Sequence, residues 1–177
     1  MTNWIGKKVL MVGAARQGLA LSRYLAEKGA VVILNDRRPE EELSSIIQDL
    51  QDLDIILVAG SHPIKLLDDV ELVCISGGIP LDLQLIHEAI RRNIPISNDS
   101  QIFLSIAPCK VIGITGSAGK TTTTALVGEI ARQHYALKKP EHHVWVGGNI
   151  GNPLIQDLDK MEPEDIAIME LSSFQLL

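Results

Sequence analysis

The chain has 177 residues, enough for one large domain or two small ones, and its 46% hydrophobic and 21% charged composition excludes disorder. A formal charge of -6 and a pI near 5.3 argue against wholesale binding to nucleic acid or an anionic membrane. With aromatic residues at only 3%, stacking platforms for exposed bases are nearly absent, so any phosphate recognition must be local.

Lys7 and Lys8 interrupt the N-terminal apolar stretch early, and no run approaches membrane-spanning length, which points to a soluble cytoplasmic protein. Short β-rich apolar runs predict strands over residues 8–13, 31–35, 55–58, 72–75 and 95–97. Helical patterns separate them, most clearly over 18–28 and 83–92; in the first, Leu19, Ser22, Leu25 and Ala26 share a face, and Gly29 closes the helix. Strands alternating with helices imply parallel pairing through right-handed crossovers, hence an open, doubly wound α/β sheet.

Between the first strand and helix lies Gly13-Ala14-Ala15-Arg16-Gln17-Gly18, a dinucleotide-type glycine loop with alanine at its second glycine position. Asp36 ends the second strand about 20 residues on, where an acidic group often accepts a ribose hydroxyl. Two readings fit the loop: a nucleotide pyrophosphate on the helix N-terminus, or a tight turn needed only for packing. Arg16, Gln17 and Arg38 are either donors for phosphate or uracil, or solvated surface groups. Ser76-Gly77-Gly78-Ile79-Pro80 follows the fourth strand, at the carboxyl edge where open α/β sheets bind ligands, although a plain turn explains it too. Asn98-Asp99 reaches the same edge or caps the next helix.

A helix over 100–106 stops at Ala107-Pro108, the expected boundary between a first domain (1–107) and a second (108–177). The second should run strand from Lys110, loop, helix from Lys120 to about Gln133, polar loop over 134–143, strand 143–146, glycine turn, short helix and strand 166–169. Three strands in about 70 residues bury little surface alone, so this reads as a domain cut short. Cys74 and Cys109 form no metal-type pair and read as buried, reduced thiols.

The most informative segment is Gly116-Ser117-Ala118-Gly119-Lys120-Thr121, directly after the apolar run Lys110 to Thr115. A buried strand breaking into a glycine turn and then a helix aims backbone N–H groups and the positive end of the helix dipole at one point. Residues Gly116 to Thr122 would cradle the ATP phosphates, Lys120 supplying a point charge and Thr121 a hard oxygen for Mg²⁺. Ile114 stands where the strict pattern has its first glycine, so the match is to a shortened variant; the bland reading is a turn with a solvated lysine. Gly147-Gly148-Asn149-Ile150-Gly151 and Glu170-Leu171-Ser172-Ser173-Phe174-Gln175-Leu176 end the next two strands on the same edge. A carboxylate at such a tip is the usual place for a Mg²⁺ ligand, so Glu170 is assigned that role over a helix cap; Asn149 between glycines also suits a turn.

Together these three segments resemble the Mur ligases of peptidoglycan synthesis, and Ser172-Ser173-Phe174-Gln175 resembles the branch that adds D-glutamate. The resemblance implies a Rossmann-like UDP-binding domain followed by the start of a P-loop-type ATP-binding domain. It implies ATP-dependent amide ligation, in which the carboxylate of UDP-N-acetylmuramoyl-L-alanine is phosphorylated to an acyl phosphate and attacked by D-glutamate. Lys120 would contact the β/γ-phosphates, and Thr121 with Glu170 would hold Mg²⁺. Asn149 and Ser172 would face the muramoyl-alanine end, while Gln17, Asp36 and Ser76, with Arg16, Arg38 and Gly78, would surround the UDP.

The chain departs from the family at Ala118, where an asparagine or histidine is usual, and in the long polar loop over 134–143, whose His142 and His143 suit a solvated loop better than a metal site. The family's remaining metal-site residues, its adenine pocket and its glutamate-binding domain fall beyond Leu177, so this polypeptide alone should not catalyse ligation. Two other classes stay open: an NAD(P)-dependent oxidoreductase on the first glycine loop, disfavoured by Ala15 and the second loop, and a non-catalytic UDP-sugar-binding module. The sister ligase that adds L-alanine often shows a run like Thr121 to Thr124.

Overall fold

Strand–helix alternation produces two parallel sheets in the computed structural model, which describes residues 3–176 and divides into the units Met1–Asp99 and Ser100–Leu177. The first unit runs β1 (Lys8–Val12), α1 (Arg16–Glu27), β2 (Val31–Asn35), α2 (Ser44–Leu50), β3 (Ile55–Val58), β4 (Leu72–Ile75), α3 (Gln84–Arg91) and β5 (Ile96–Ser97). Its strands pair in parallel in the order β3-β2-β1-β4-β5, the doubly wound arrangement. Central β1 is apolar on both faces because both are covered. Leu10 and Val12 join a core with Leu67, Val73, Leu85 and Ala89, while Met11 faces α1. Each such fully buried aliphatic side chain stabilises the unit by roughly 1.5–3 kcal/mol.

Helix α1 begins at Arg16, two positions before the expected start, because the glycine loop leads straight into its first turn. Its buried face is Gln17, Ala20, Leu21, Tyr24 and Leu25, with Ser22; Leu19 and Ala26 are only half-buried. A Cβ on Gly18 would collide with the Gly13 carbonyl oxygen, so only glycine lets the helix press this closely on the end of β1. At the other end Gly29 N–H donates to Ala26 O and Ala30 N–H to Leu25 O, the paired bonds of a Schellman stop. The short α2, anchored by buried Leu43 and Leu50, has no counterpart in the sequence reading, since seven residues are too few to show a helical period.

Helix α4 (Asp99–Ile106) starts at the junction of the units. The second unit continues with β6 (Lys110–Ile114), α5 (Lys120–Lys138), β7 (Val144–Gly148), a 3-10 segment (Leu154–Lys160), β8 (Ile166–Glu170) and a last 3-10 turn (Ser173–Leu176). The strands pair in parallel as β6-β8-β7. Two expectations need correction. Strand β6 is not buried: among the described residues it has β8 on one side only, and Ile112 is 41% exposed. Helix α5 runs past Gln133 to Lys138, because nothing in His134 to Lys138 breaks a helix, and the polar loop shrinks to residues 139–143.

Gly128 lets α5 lie against Val146 of β7. At the start of the sheet, buried Asp165 accepts the His143 N–H (2.7 Å), the Trp145 Nε1–H (2.8 Å) and the Glu162 N–H (3.1 Å). Burial pushes this carboxyl up, but those three donors outweigh it and hold it below the usual carboxylate range. His143 stacks on Trp145 with ring centroids 5.8 Å apart, and His142 Nε2 lies 3.3 Å from Glu141. Cys74 is fully buried and Cys109 only half-buried; both are free thiols. No helix among the described residues is long and apolar enough to cross a membrane.

Candidate functional site

In the first unit, β2 and β3 lie on one side of β1, and β4 and β5 on the other, so the strand order reverses between β1 and β4. The loops after these two strands diverge there, leaving a crevice at the carboxyl edge. A cleft of about 410 Å³ occupies it, lined by Gly13 and Ala15 from the first loop, Asp36 to Arg38 after β2, His62 after β3, and Ser76 to Pro80 after β4. Ala15 precedes α1 and supplies no side-chain cap, and the N-terminal end of the helix, with its partial positive charge, faces the loop.

Asp36 is 7% exposed and fully engaged. Its Oδ2 accepts the Ala14 N–H (2.7 Å) and Arg38 Nη2 (3.0 Å), while Oδ1 accepts the Arg38 N–H (2.9 Å) and Arg38 Nε (3.0 Å). Arg38 Nη2 also donates to Ala14 O at 3.0 Å. Four donors fill the lone pairs of one carboxylate, so Asp36 ties the glycine loop to Arg38 and holds the guanidinium at the cleft. Gln17 lies over Gly77 with its Nε2 buried and unpartnered among the described residues, and the Ser76 hydroxyl is likewise buried without a partner. Such orphaned donors beside a cleft suit a polar ligand. Gly78 lines the cleft, whereas Arg16, exposed at the start of α1, does not.

Burial pushes the Asp36 carboxyl up, but hydrogen bonds from Arg38 and the Ala14 N–H more than offset this and hold it at about 2, against 3.8 unperturbed. Because the folded pKa is depressed, the stabilisation is complete above pH 3.8 and is lost as the pH falls towards about 2. It amounts to about 2 kcal/mol. Asp36→Asn, which sets an amide N–H against one of these donors and leaves Arg38 unpaired, should destabilise the first unit by about 2–3 kcal/mol at pH 7. Urea unfolding at pH 7 and pH 3 checks this: the difference between variant and wild type should narrow at the lower pH.

The second unit assembles its own constellation. Ile114 of β6 and Gly148 of β7 both pair with Glu170 of β8, so the loops after all three strands leave from one edge. Gly116 to Gly119 lead into α5, whose preceding residue Gly119 has φ 75° and offers no side-chain cap. The loop is open: Ser117, Ala118, Gly119, Thr121 and Thr122 are exposed. Lys120 Nζ turns back to donate to Gly116 O at 2.7 Å, closing the loop on itself.

Glu170 is 2% exposed. Its Oε1 accepts Asn149 Nδ2 at 3.2 Å, its backbone oxygen accepts the Asn149 N–H at 2.9 Å, and its Oε2 is buried with no partner among the described residues. Gly148 makes this contact possible: φ is 102°, and a Cβ there would stand 2.5 Å from Glu170 O. Gln175 supports the strand tip from behind, its Oε1 accepting the Ser172 N–H (2.7 Å) and its Nε2 donating to buried Ser100 Oγ (2.6 Å). A buried carboxylate oxygen without a donor, next to an open glycine loop and a threonine hydroxyl, fits a hard cation such as Mg²⁺ held with a polyphosphate. Among the described residues no three His, Cys, Asp or Glu side chains gather as a ligand set for a metal held by protein alone.

The sequence-derived residues thus separate into two groups. Gln17, Asp36, Arg38, Ser76 and Gly78 meet around the first cleft, while Lys120, Thr121, Asn149, Glu170 and Ser172 lie at one edge of the second sheet. Sequence reasoning missed His62 in the cleft and the bridging role of Gln175. The first had a signal, its place just after a parallel strand; the second, a partner 75 residues away, had none.

A family model described as "Mur ligase MurD-like, N-terminal domain" matches residues 7–98, and "Mur ligase middle domain" matches residues 114–177. Among relatives, the UDP-N-acetylmuramoylalanine–D-glutamate ligase of Pelotomaculum thermopropionicum is 38% identical over 96% of this chain and 36% of its own length. That of Clostridioides difficile is 39% identical over 97% of the chain and 37% of its own length. The chain therefore spans little more than a third of these relatives. The crystal structure of UDP-N-acetylmuramate:L-alanyl-gamma-D-glutamyl-meso-diaminopimelate ligase from Neisseria meningitides shares the fold, with a TM-score of 0.57 at 18% identity over 96% of this chain and 55% of that one. With the first family model covering more than half of its residues, the chain belongs to the Mur ligase family.

Proposed function

We propose that this chain is the UDP- and ATP-binding portion of a cytoplasmic ligase that joins D-glutamate to UDP-N-acetylmuramoyl-L-alanine. The observation that carries the reading is Glu170: a buried carboxylate with one unpartnered oxygen, on the strand paired directly with the one that enters the Gly116 to Thr122 loop. The names of the relatives at 38–39% identity support D-glutamate as the amino acid added.

In this reading the first unit holds the UDP moiety. Backbone N–H groups at the start of α1 take the pyrophosphate, and Arg38, pre-set by Asp36, offers its Nη1, which has no partner among the described residues. In the second unit, the N–H groups of the loop and the N-terminus of α5 receive the ATP phosphates. Lys120 exchanges the Gly116 carbonyl for the outer phosphates. Thr121 Oγ1 and Glu170 Oε2 are the oxygens that would hold Mg²⁺, and Asn149 fixes the orientation of the Glu170 carboxylate through Oε1. When bound, MgATP supplies the phosphoryl group that activates the substrate carboxylate for attack by an amine. The contribution of the protein is charge neutralisation and placement: Lys120 offsets negative charge on the outer phosphates, and Asn149 and Ser172 serve the muramoyl-alanine end.

The test is phosphate release by the whole protein that carries this chain. It should depend on ATP, Mg²⁺, UDP-N-acetylmuramoyl-L-alanine and D-glutamate together. Release with UDP-N-acetylmuramate and L-alanine instead would assign the chain to the sister ligase, and no release with either pair would refute the catalytic reading.

A further inference from the structure

His62 lines the cleft of the first unit, just after β3. Its ring is held by Asn35, the last residue of β2, which is fully buried. Asn35 Nδ2 donates to Val58 O at 2.8 Å and Ser61 O at 2.7 Å. Both partners are carbonyls, which only accept, so the orientation of the Asn35 amide is determined and its Oδ1 is the atom that meets His62 Nδ1 at 2.5 Å. An amide oxygen carries no hydrogen. The proton of this bond therefore sits on Nδ1, and in the neutral ring Nε2 keeps its lone pair. Burial, with a smaller push from Arg37, lowers the pKa of His62, and Asp36 opposes this only in part, so the ring is neutral at pH 7. Nε2 has no partner among the described residues.

Asp36, the residue whose position suggests a sugar-hydroxyl acceptor, already receives four donors. The cleft therefore needs another acceptor for the donors of a nucleoside. We infer that His62 is a specificity-determining residue of this cleft, its Nε2 accepting a hydrogen bond from the nucleoside of the bound nucleotide, either a ribose hydroxyl or the imide N–H of uracil. The inference rests on the proposed UDP site. A bare lone pair repels phosphate, which places this contact at the nucleoside end, away from the loop before α1. If the imide is the donor, the same atom disfavours cytosine, whose N3 is also an acceptor.

Calorimetric titration of the chain with UDP, 2′-deoxy-UDP, 3′-deoxy-UDP and N3-methyl-UDP tests this. Wild type should bind one analogue about tenfold more weakly than UDP, the loss expected for one hydrogen bond. That analogue identifies the donor. In His62→Phe, which keeps an aromatic ring and removes the acceptor, the gap should close. In ¹⁵N-histidine spectra of the wild type, Nδ1 should stay protonated and the Nε2 resonance should move when UDP is added, a readout that does not depend on the variant folding. Equal binding of all four ligands by wild type, an undiminished gap in folded His62→Phe, or an unmoved Nε2 resonance with UDP bound would overturn the inference. Failure of wild type to bind UDP at all is a different result and would refute the cleft assignment beneath it.

Discussion

Lys120→Ala should abolish tight MgATP binding by the second unit while leaving the affinity of the first unit for UDP within about threefold, since the two sites draw on separate groups of residues. Among the described residues the Lys120 ammonium has only the Gly116 carbonyl as its partner, in an exposed loop. Losing that contact should change folding stability by no more than about 0.5 kcal/mol. Its loss from a polyphosphate complex is costlier, because charge-assisted hydrogen bonds contribute about 1.5–3 kcal/mol each. Affinity for a non-hydrolysable MgATP analogue should therefore fall about 10- to 100-fold, and turnover of the whole protein by about 10³. Lys120→Arg should not restore either, because a planar fork cannot take the place of a compact ammonium inside a tight loop. Calorimetry with the analogue and with UDP separates the effects. Unchanged analogue binding in Lys120→Ala would remove the loop from the account.

Glu170→Gln should change stability and function in opposite directions. A carboxylate 2% exposed, with one oxygen lacking any donor among the described residues, is an uncompensated buried charge in the metal-free protein. The isosteric amide keeps the bond from Asn149 to Oε1 and removes that charge, so the apparent melting temperature should rise, by an amount equivalent to about 1–2 kcal/mol. The same change removes the hard anionic oxygen, so Mg²⁺ should no longer strengthen nucleotide binding. A structural carboxylate would behave otherwise: its replacement would lower the melting temperature and leave the magnesium dependence intact. Stability held in reserve at a strand tip of this kind is a common cost of a functional site.

Much of the fold was legible because parallel strands covered on both faces are written as apolar runs, as in Val9 to Val12, with glycines where a helix must meet a strand end. Gly18 and Gly29 were readable for that reason. Helix α2 was not, since seven residues are too few to show a helical period. The far end of α5 was misread because the polar residues after Gln133 look like a loop, although they contain no breaker before Pro140. In the candidate site, residue types at strand ends were visible and their partners were not. Asp36 looked like a free acceptor; only in three dimensions do Ala14 and Arg38 fill its oxygens. The tautomer of His62 depends on an asparagine whose own orientation is decided by two carbonyls, one at the end of β3 and one in the loop after it, information that no local pattern holds.

The most direct measurement is a crystal structure of the chain with Mg²⁺ and a non-hydrolysable ATP analogue. The outer phosphates should lie on the N–H groups of Gly116 to Thr122, with Lys120 Nζ moved from the Gly116 carbonyl to phosphate oxygen and the cation bound by Thr121 Oγ1 and, directly or through one water, by Glu170 Oε2. Nucleotide bound elsewhere, with Lys120 still on Gly116 O and Glu170 Oε2 remote from any cation, would contradict it.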